Sequence, residues 1–263
     1  MWEEPCISGT KGSGAVFFSG CGLRCCFCQN HDIAMGSRGW AVSVERLGEI
    51  FLELKEKGAA NINLVTGAHY VPQIIEALDM ARRKGLDIPV VYNSSGYEKT
   101  ETLKLLEGYV DIYLPDLKYL DPELAQKFSY APDYVQAAKA AIGEMVRQTG
   151  KCEFGEDGYI RKGTIVRHLI LPGHTGNSIK ALRYLHETYG EDIYISIMNQ
   201  YTPVRKFVEF KELNRKVTKR EYEKVLDAAV DMGIQNGFIQ EGETASESFI
   251  PDFDYEGVEK NTP

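Results

Sequence analysis

Residues 20–30 read GCGLRCCFCQN and place four cysteines within eight positions. The apolar run AVFFS at residues 15–19 directly precedes them, so this stretch joins a predicted strand to a cysteine-rich loop. Cys21, Cys25 and Cys28 have C-x3-C-x2-C spacing, with a glycine on each side of the first cysteine. Glycine permits the tight backbone that curls around a bulky inorganic group. Because clustered thiols in a reducing compartment more often bind metal than pair as disulfides, the loop predicts a metal centre.

Composition narrows the class of protein. The chain has 263 residues, of which 43% are hydrophobic and 26% charged, as in ordinary globular proteins with a sizeable core. Its net charge of −8 and pI of about 5.3 disfavour nucleic acid as a partner, since phosphate binding requires clustered Lys and Arg. The start, MWEEPCISG, lacks the pattern of a signal peptide, and no apolar run is long enough to span a membrane. We therefore expect a cytoplasmic protein that binds neither nucleic acid nor membrane.

Short apolar runs alternate with amphipathic windows along the chain. The runs are continuous rather than alternating, as expected for parallel strands covered on both faces. They lie at residues 15–19, 62–66, 89–93, 110–115, 164–172 and 192–198, and the helical windows at 43–57, 71–84, 98–107, 133–148, 177–189 and 218–232. Repeated β-α units predict a parallel sheet, open or curved toward a barrel, with about six units. Ligands of such sheets bind where the strands end in loops.

One core domain is predicted over residues 1–240. Residues 120–163 are irregular in pattern, apart from the helical window at 133–148, and are interpreted as an insertion in that domain. Residues 241–263 form an acidic and aromatic tail, predicted to wrap the surface or fray.

Three cysteines suit an iron–sulfur cluster with one open iron. Four cysteine ligands serve electron transfer, whereas three leave one iron free for a substrate or cofactor. A structural zinc site is the alternative, but it requires four ligands, and no second C-x2-C or H-x3-H pair follows. Cys26 is left out on geometry as a bystander, and Cys6 and Cys152 receive no assigned role.

The stretch EEPCISGTKGSGAVFFSGCGLRCCFCQN resembles the radical S-adenosylmethionine (SAM) superfamily. The aromatic Phe27 just before the last cysteine is part of that signature, and the surrounding residues resemble the PflX-type relatives of pyruvate formate-lyase activating enzyme. This resemblance implies an α/β fold, a partial (β/α)6 TIM-like barrel. It also implies a [4Fe-4S] cluster held by Cys21, Cys25 and Cys28, with SAM bound to the fourth iron. Longer relatives carry cysteine-containing sequence before EEPCISG, so a short or truncated form is expected here.

The resemblance implies SAM contacts after the second, third and fourth strands. In VTGAHY, Thr66 and Gly67 fit a close backbone approach to the methionine amino group, although the acidic residue of the family is absent and His69 is ambiguous. In NSSG, Asn93 and Ser94 would bond the ribose hydroxyls, with a plain polar turn as the alternative. In PDLKYLD, Lys118 would meet the methionine carboxylate, held by Asp116; outside the family this would be an ordinary surface ion pair.

Two later strand ends complete the implied site. LPGHTGNS resembles the turn that lies against adenine, which implies a contact from His174. MNQYTP implies Asn199 and Gln200 as adenine or ribose contacts and Tyr201 as a pocket wall.

The resemblance implies a radical SAM enzyme. One electron from the reduced cluster would cleave SAM to a 5′-deoxyadenosyl radical that abstracts hydrogen, with activation of a glycyl radical protein as the leading reaction. A flavodoxin or ferredoxin-type donor would supply the electron. Two alternatives stay open: radical modification of a small molecule or another protein residue, and a non-enzymatic iron–sulfur electron carrier or zinc-binding module.

Overall fold

Seven parallel strands make up the sheet in the part of the chain that the computed structural model describes, residues 4–239 with Tyr255, Gly257 and Val258. An eighth, short strand, β5, pairs with β6 in the antiparallel sense. The order across the sheet is β1-β2-β3-β4-β6-β7-β8. The strands are β1 Gly14–Phe17, β2 Ile62–Val65, β3 Val90–Ser94, β4 Ile112–Pro115, β5 Glu153–Phe154, β6 Ile160–Leu169, β7 Tyr194–Met198 and β8 Gly237–Ile239.

Helices follow most of the strands. They are α1 Pro5–Ser8, α2 His31–Ala34, α3 Val44–Glu56, α4 Val71–Arg83, α5 Thr100–Lys104, α6 Pro122–Ser129, α7 Tyr134–Thr149, α8 Thr175–Tyr189 and α9 Lys219–Asp231, with 3-10 turns at Gly67–Tyr70 and Lys211–Asn214. Local signals begin several of them: the Ser43 side chain accepts from Arg46 N at the start of α3, and Thr218 and Glu221 form a capping box on α9. None of the helices described here has the length and apolarity to cross a bilayer.

The predicted α/β fold with a partial barrel is confirmed. All six apolar runs contain strands and all six helical windows contain helices. Several short elements were not predicted; among them, β8 adds a seventh parallel strand, and α6 lies in the stretch 120–163, where one helix was expected. Both are short, β8 with three residues and α6 with eight, so neither leaves a strong periodic pattern.

The two faces of the sheet bury different side chains. Tyr92 and Tyr113 pack on the outer face, among residues of α3, α4 and α7. Their neighbours Val91 and Ile112 point inward and pack against Cys6 and Ile7 of α1. This alternation follows from the period of two along a strand. The N-terminal helix therefore fills part of the barrel interior.

Described residues of the tail lie against the start of α3. The Tyr255 ring packs edge-on to Trp40, with 6.0 Å between centroids. Arg46 donates to Gly257 O at 3.0 Å and to Val258 O at 3.2 Å. The rest of the predicted tail, 241–263, lies outside the described residues.

Candidate functional site

A cavity of about 510 Å³ opens at the carboxyl ends of the strands. This is the edge at which parallel sheets bind their ligands. Nine of the twelve predicted site residues line it: Cys21, Cys25, Cys28, Thr66, Asn93, Ser94, Asp116, Lys118 and Gln200. Segments far apart in sequence therefore meet around one space.

The cysteine loop forms one wall of this cavity. Gly20 has φ of +94°, in the left-handed region that favours glycine, and turns the chain out of the sheet. Leu23 N lies 3.4 Å from Cys21 Sγ, and Cys28 N donates to Cys25 O at 3.1 Å. The neighbouring Cys26 is buried in the core and does not line the cavity.

A donor set of three thiols suits an iron–sulfur cluster rather than a single metal ion. In the described part of the chain, no three His, Cys, Asp or Glu side chains converge as ligands of a single metal ion must. A cubane needs a wider arrangement, because each thiolate binds its own iron. Burial raises the pKa of the Cys25 thiol, an effect that the Lys118 charge and a hydrogen bond from Ser129 oppose. Three cysteine thiols beside a cation and hydrogen-bond donors suit an anionic iron–sulfur cluster.

The carboxyl end of α6 holds the cysteine loop in place. Cys26 N donates to Phe128 O at 2.8 Å and Arg24 N to Ser129 O at 3.4 Å, at the end of α6. Ser129 Oγ also lies 3.0 Å from Cys25 Sγ. Sequence reasoning missed these contacts, because no local pattern in α6 points to a loop about a hundred residues away.

The turn after β2 brings Thr66 to the cavity in an uncommon conformation. Its φ of 62° and ψ of 40° are left-handed, which a β-branched residue adopts rarely and mostly at functional sites. Gly67 does not line the cavity. A Cβ at Gly67 would lie 2.7 Å from Ile74 Cδ1 and 3.3 Å from Tyr92 Cε2, so a side chain there would require these neighbours to shift. His69 is exposed and lies against Gly20.

The turn after β3 is fixed by a buried carboxyl group. Ser94 Oγ donates to Glu98 and accepts from Gly96 N at 3.0 Å, so its hydroxyl is used within the turn. Tyr92 OH donates to Glu98 at 2.9 Å, and burial raises the pKa of that carboxyl group. Asn93 lines the cavity as predicted, which leaves it the better placed of the predicted pair to meet a ligand.

Asp116 and Lys118 form a largely buried ion pair that also lines the cavity. Burial works against the Lys118 charge, but Asp116 and Cys25 outweigh it and hold the pKa of the ammonium well above its usual value. Tyr134 OH accepts from Lys118 N at 2.9 Å, and its one hydrogen is shared between the carbonyls of Asp116 and Ser95, at 2.9 and 3.0 Å. Helix α7 thus also positions this segment, which sequence reasoning did not foresee.

His168 fixes the same segment from behind. Its Nδ1 donates to Leu117 O at 2.6 Å, and Leu117 N donates to Arg167 O at 2.8 Å. Burial lowers the pKa of His168 to about 4, so the imidazole is neutral. The backbone that carries Lys118 is therefore held by hydrogen bonds to both Tyr134 and His168.

Only some of the last predicted contacts line the cavity. Gln200 lines the cavity, and Tyr201 forms a wall with Phe27, their rings 6.1 Å apart. Asn199 and His174 do not line it. The His174 ring packs on Phe128 at 5.2 Å between centroids, and its Nε2 lies 3.5 Å from Glu212.

A second ion pair, absent from the predicted site, forms the floor of the cavity. Arg167 Nε and Nη2 donate to Glu4 at 3.0 and 2.6 Å. The side chains are only 11% and 6% exposed, and burial lowers the pKa of Arg167 to about 10. Glu4 belongs to the EEPCISG segment, whose cysteine, Cys6, packs inside the barrel.

Residues 15–185 match the family model described as the Radical SAM superfamily. An uncharacterized protein of Methanocaldococcus jannaschii is 27% identical over 224 residues, 82% of this chain and 62% of that protein. The pyruvate formate-lyase-activating enzyme of Clostridium pasteurianum is 27% identical over 122 residues, 44% of this chain and 50% of that enzyme. The chain thus spans about half to three fifths of the length of these relatives.

Solved structures share the fold. Streptococcus suis SuiB bound to S-adenosylmethionine superposes with a TM-score of 0.57 at 14% identity, over 88% of this chain and 51% of that one. The enzyme anSMEcpe with bound AdoMet gives 0.57 at 12% identity, over 82% and 60%. The family model covers the cysteine loop and the cavity-lining residues as far as Leu169, whereas Glu4, Gln200 and Tyr201 lie outside it. The chain belongs to the radical SAM superfamily, whose cofactors are a [4Fe-4S] cluster and S-adenosylmethionine.

Proposed function

We propose that this chain cleaves SAM reductively and abstracts hydrogen from a glycine of a partner protein. The observation that carries the proposal is that the Cys21, Cys25 and Cys28 thiols and the Asp116–Lys118 pair border one cavity. When bound there, the cluster and SAM supply a 5′-deoxyadenosyl radical for hydrogen abstraction.

The residues of the cavity divide the work. The three thiols would hold the cluster, and the Lys118 ammonium would bind the SAM carboxylate while Asp116 keeps the cation oriented. Asn93 and Gln200 offer amide groups for the ribose and adenine. The Phe27 and Tyr201 rings exclude water from this side of the cavity.

Two observations support a protein glycine as the substrate. The chain resembles an activating enzyme of pyruvate formate-lyase over part of its length. In addition, the cavity reaches both edges of the sheet, since Phe17 of β1 and Phe238 of β8 line it, which suits entry of a peptide loop. The Glu4–Arg167 floor is a compensated ion pair and so favours neutral peptide groups over a charged small molecule. A flavodoxin or ferredoxin would supply the electron.

The test mixes the reduced, SAM-loaded enzyme with each candidate glycyl radical protein that is encoded with it, under anaerobic conditions. We expect an electron paramagnetic resonance (EPR) signal of a glycyl radical on the partner, absent when the target glycine is replaced by alanine or when the enzyme carries Cys25→Ala. SAM cleavage without a radical on any co-encoded protein would contradict the proposal and favour a small-molecule substrate.

A further inference from the structure

Two consecutive hydrogen bonds link Tyr119, through Ser129, to Cys25, one of the proposed cluster ligands. Ser129 Oγ lies 3.0 Å from Cys25 Sγ, and Tyr119 OH lies 2.8 Å from Ser129 Oγ. Tyr119 and Ser129 are 0% and 1% exposed. Solvent therefore does not compete for these groups.

The direction of these hydrogen bonds follows from the available protons. A serine hydroxyl carries one hydrogen. If Ser129 donates it to Cys25, the serine oxygen is free to accept from Tyr119. Sulfur bound to iron as thiolate is an acceptor, so the order Tyr119 to Ser129 to Cys25 satisfies all three groups.

Packing fixes both donors. Ser129 is the last residue of α6, and Cys26 N, next to the ligand, bonds Phe128 O at 2.8 Å. The Tyr119 ring packs edge-on to Tyr134, 5.4 Å between centroids. The hydroxyl of Ser129 is therefore held at the sulfur rather than placed there by a mobile side chain.

We propose that Ser129, supported by Tyr119, is a positioning residue that raises the reduction potential of the cluster through its hydrogen bond to Cys25. The cluster takes one electron from the external donor, and its negative charge grows by one unit. Hydrogen bonds to cluster sulfurs stabilise that charge, more strongly in a buried environment. The inference rests on the proposed function, because it concerns the cluster that the proposed reaction uses.

The test is an EPR-monitored redox titration of the reconstituted full chain without substrate. For Ser129→Ala we expect a reduction equilibrium constant about tenfold lower, a potential ~59 mV more negative for one electron. Tyr119→Phe should shift the potential in the same direction by roughly half as much, because it removes only the supporting bond. Ser129→Thr should restore the wild-type value. Ser178→Ala is the matched control, since the Ser178 hydroxyl is buried and has no hydrogen-bond partner among the described residues.

Three results would overturn the inference. These are an unchanged potential in Ser129→Ala, an equal shift in Ser178→Ala, or loss of iron from Ser129→Ala, which would assign Ser129 to cluster retention instead. Because the titration needs neither partner nor turnover, a failed glycyl radical assay leaves it interpretable.

Discussion

The cysteine loop and the Glu4–Arg167 floor of the cavity are built in opposite ways. In the loop, Cys21, Cys25 and Cys28 lie within eight positions of one another. At the floor, Glu4 and Arg167 are 163 positions apart and meet through folding alone. The three thiols would hold the cluster of the family, whereas the floor is a buried ion pair. Substitutions in the cysteine loop should therefore impair the cluster, whereas substitutions at the floor should lower the stability of the fold.

The largest effect is expected for a substitution in the cysteine loop. Cys25→Ala should abolish SAM cleavage, because one iron loses its ligand, whereas Cys26→Ala should largely retain it, since Cys26 lies outside the cavity. Iron content and 5′-deoxyadenosine formation measure both outcomes. Loss of the cluster in Cys26→Ala would show that the ligand set is wrong.

The floor should affect folding more than the cluster. Arg167→Met leaves the Glu4 carboxyl group buried without its cation and should lower the free energy of unfolding by about 3–5 kcal/mol. Arg161→Met in the same strand removes an ion pair whose side chains are 46% and 49% exposed and should cost at most ~1 kcal/mol. Denaturant unfolding gives both values, and equal costs would contradict a buried floor.

Tyr134→Phe tests how the Asp116–Lys118 segment is positioned. The change leaves Lys118 N and the Asp116 carbonyl without a partner and should cost about 1–3 kcal/mol of stability. SAM affinity should also fall, roughly tenfold if ~1.4 kcal/mol of that cost appears in binding. Tyr113→Phe removes a buried hydroxyl that bonds Gln148 on the outer face, and it should lower stability alone. Calorimetric titration of the reconstituted proteins with SAM separates the two.

His168 should make the stability of the protein depend on pH below neutrality. Its folded pKa of about 4 lies below the usual 6.5, so the unfolded chain binds the extra proton between these values. This contribution to stability is present above pH 6.5 and is lost as the pH falls toward 4. The wild type should therefore lose up to ~1.4 kcal/mol per pH unit more than His168→Asn over that window. Parallel curves for the two proteins would contradict a neutral buried imidazole.

Local sequence patterns predicted the features that depend on only a few neighbouring residues. The cysteine triad, the six apolar runs and the Asp116–Lys118 segment are each readable within a few residues, and the structure brings them together. Ser129 and Tyr134 could not be found this way, because their roles depend on contacts with Cys25 and Lys118 that exist only after α6 and α7 dock. The same holds for Glu4 and Arg167, an ion pair closed across nearly two thirds of the chain. Sequence near His174 and Asn199 resembled a binding turn, yet these side chains do not line the cavity.

If Cys21, Cys25 and Cys28 hold a [4Fe-4S] cluster, its fourth iron is open to SAM. Anaerobic reconstitution followed by EPR of the reduced protein, with and without SAM, measures this. We expect about four irons per chain and a signal that changes when SAM binds. One zinc without iron, or a cluster signal that SAM leaves unaltered, would show that the three thiols do not form such a site.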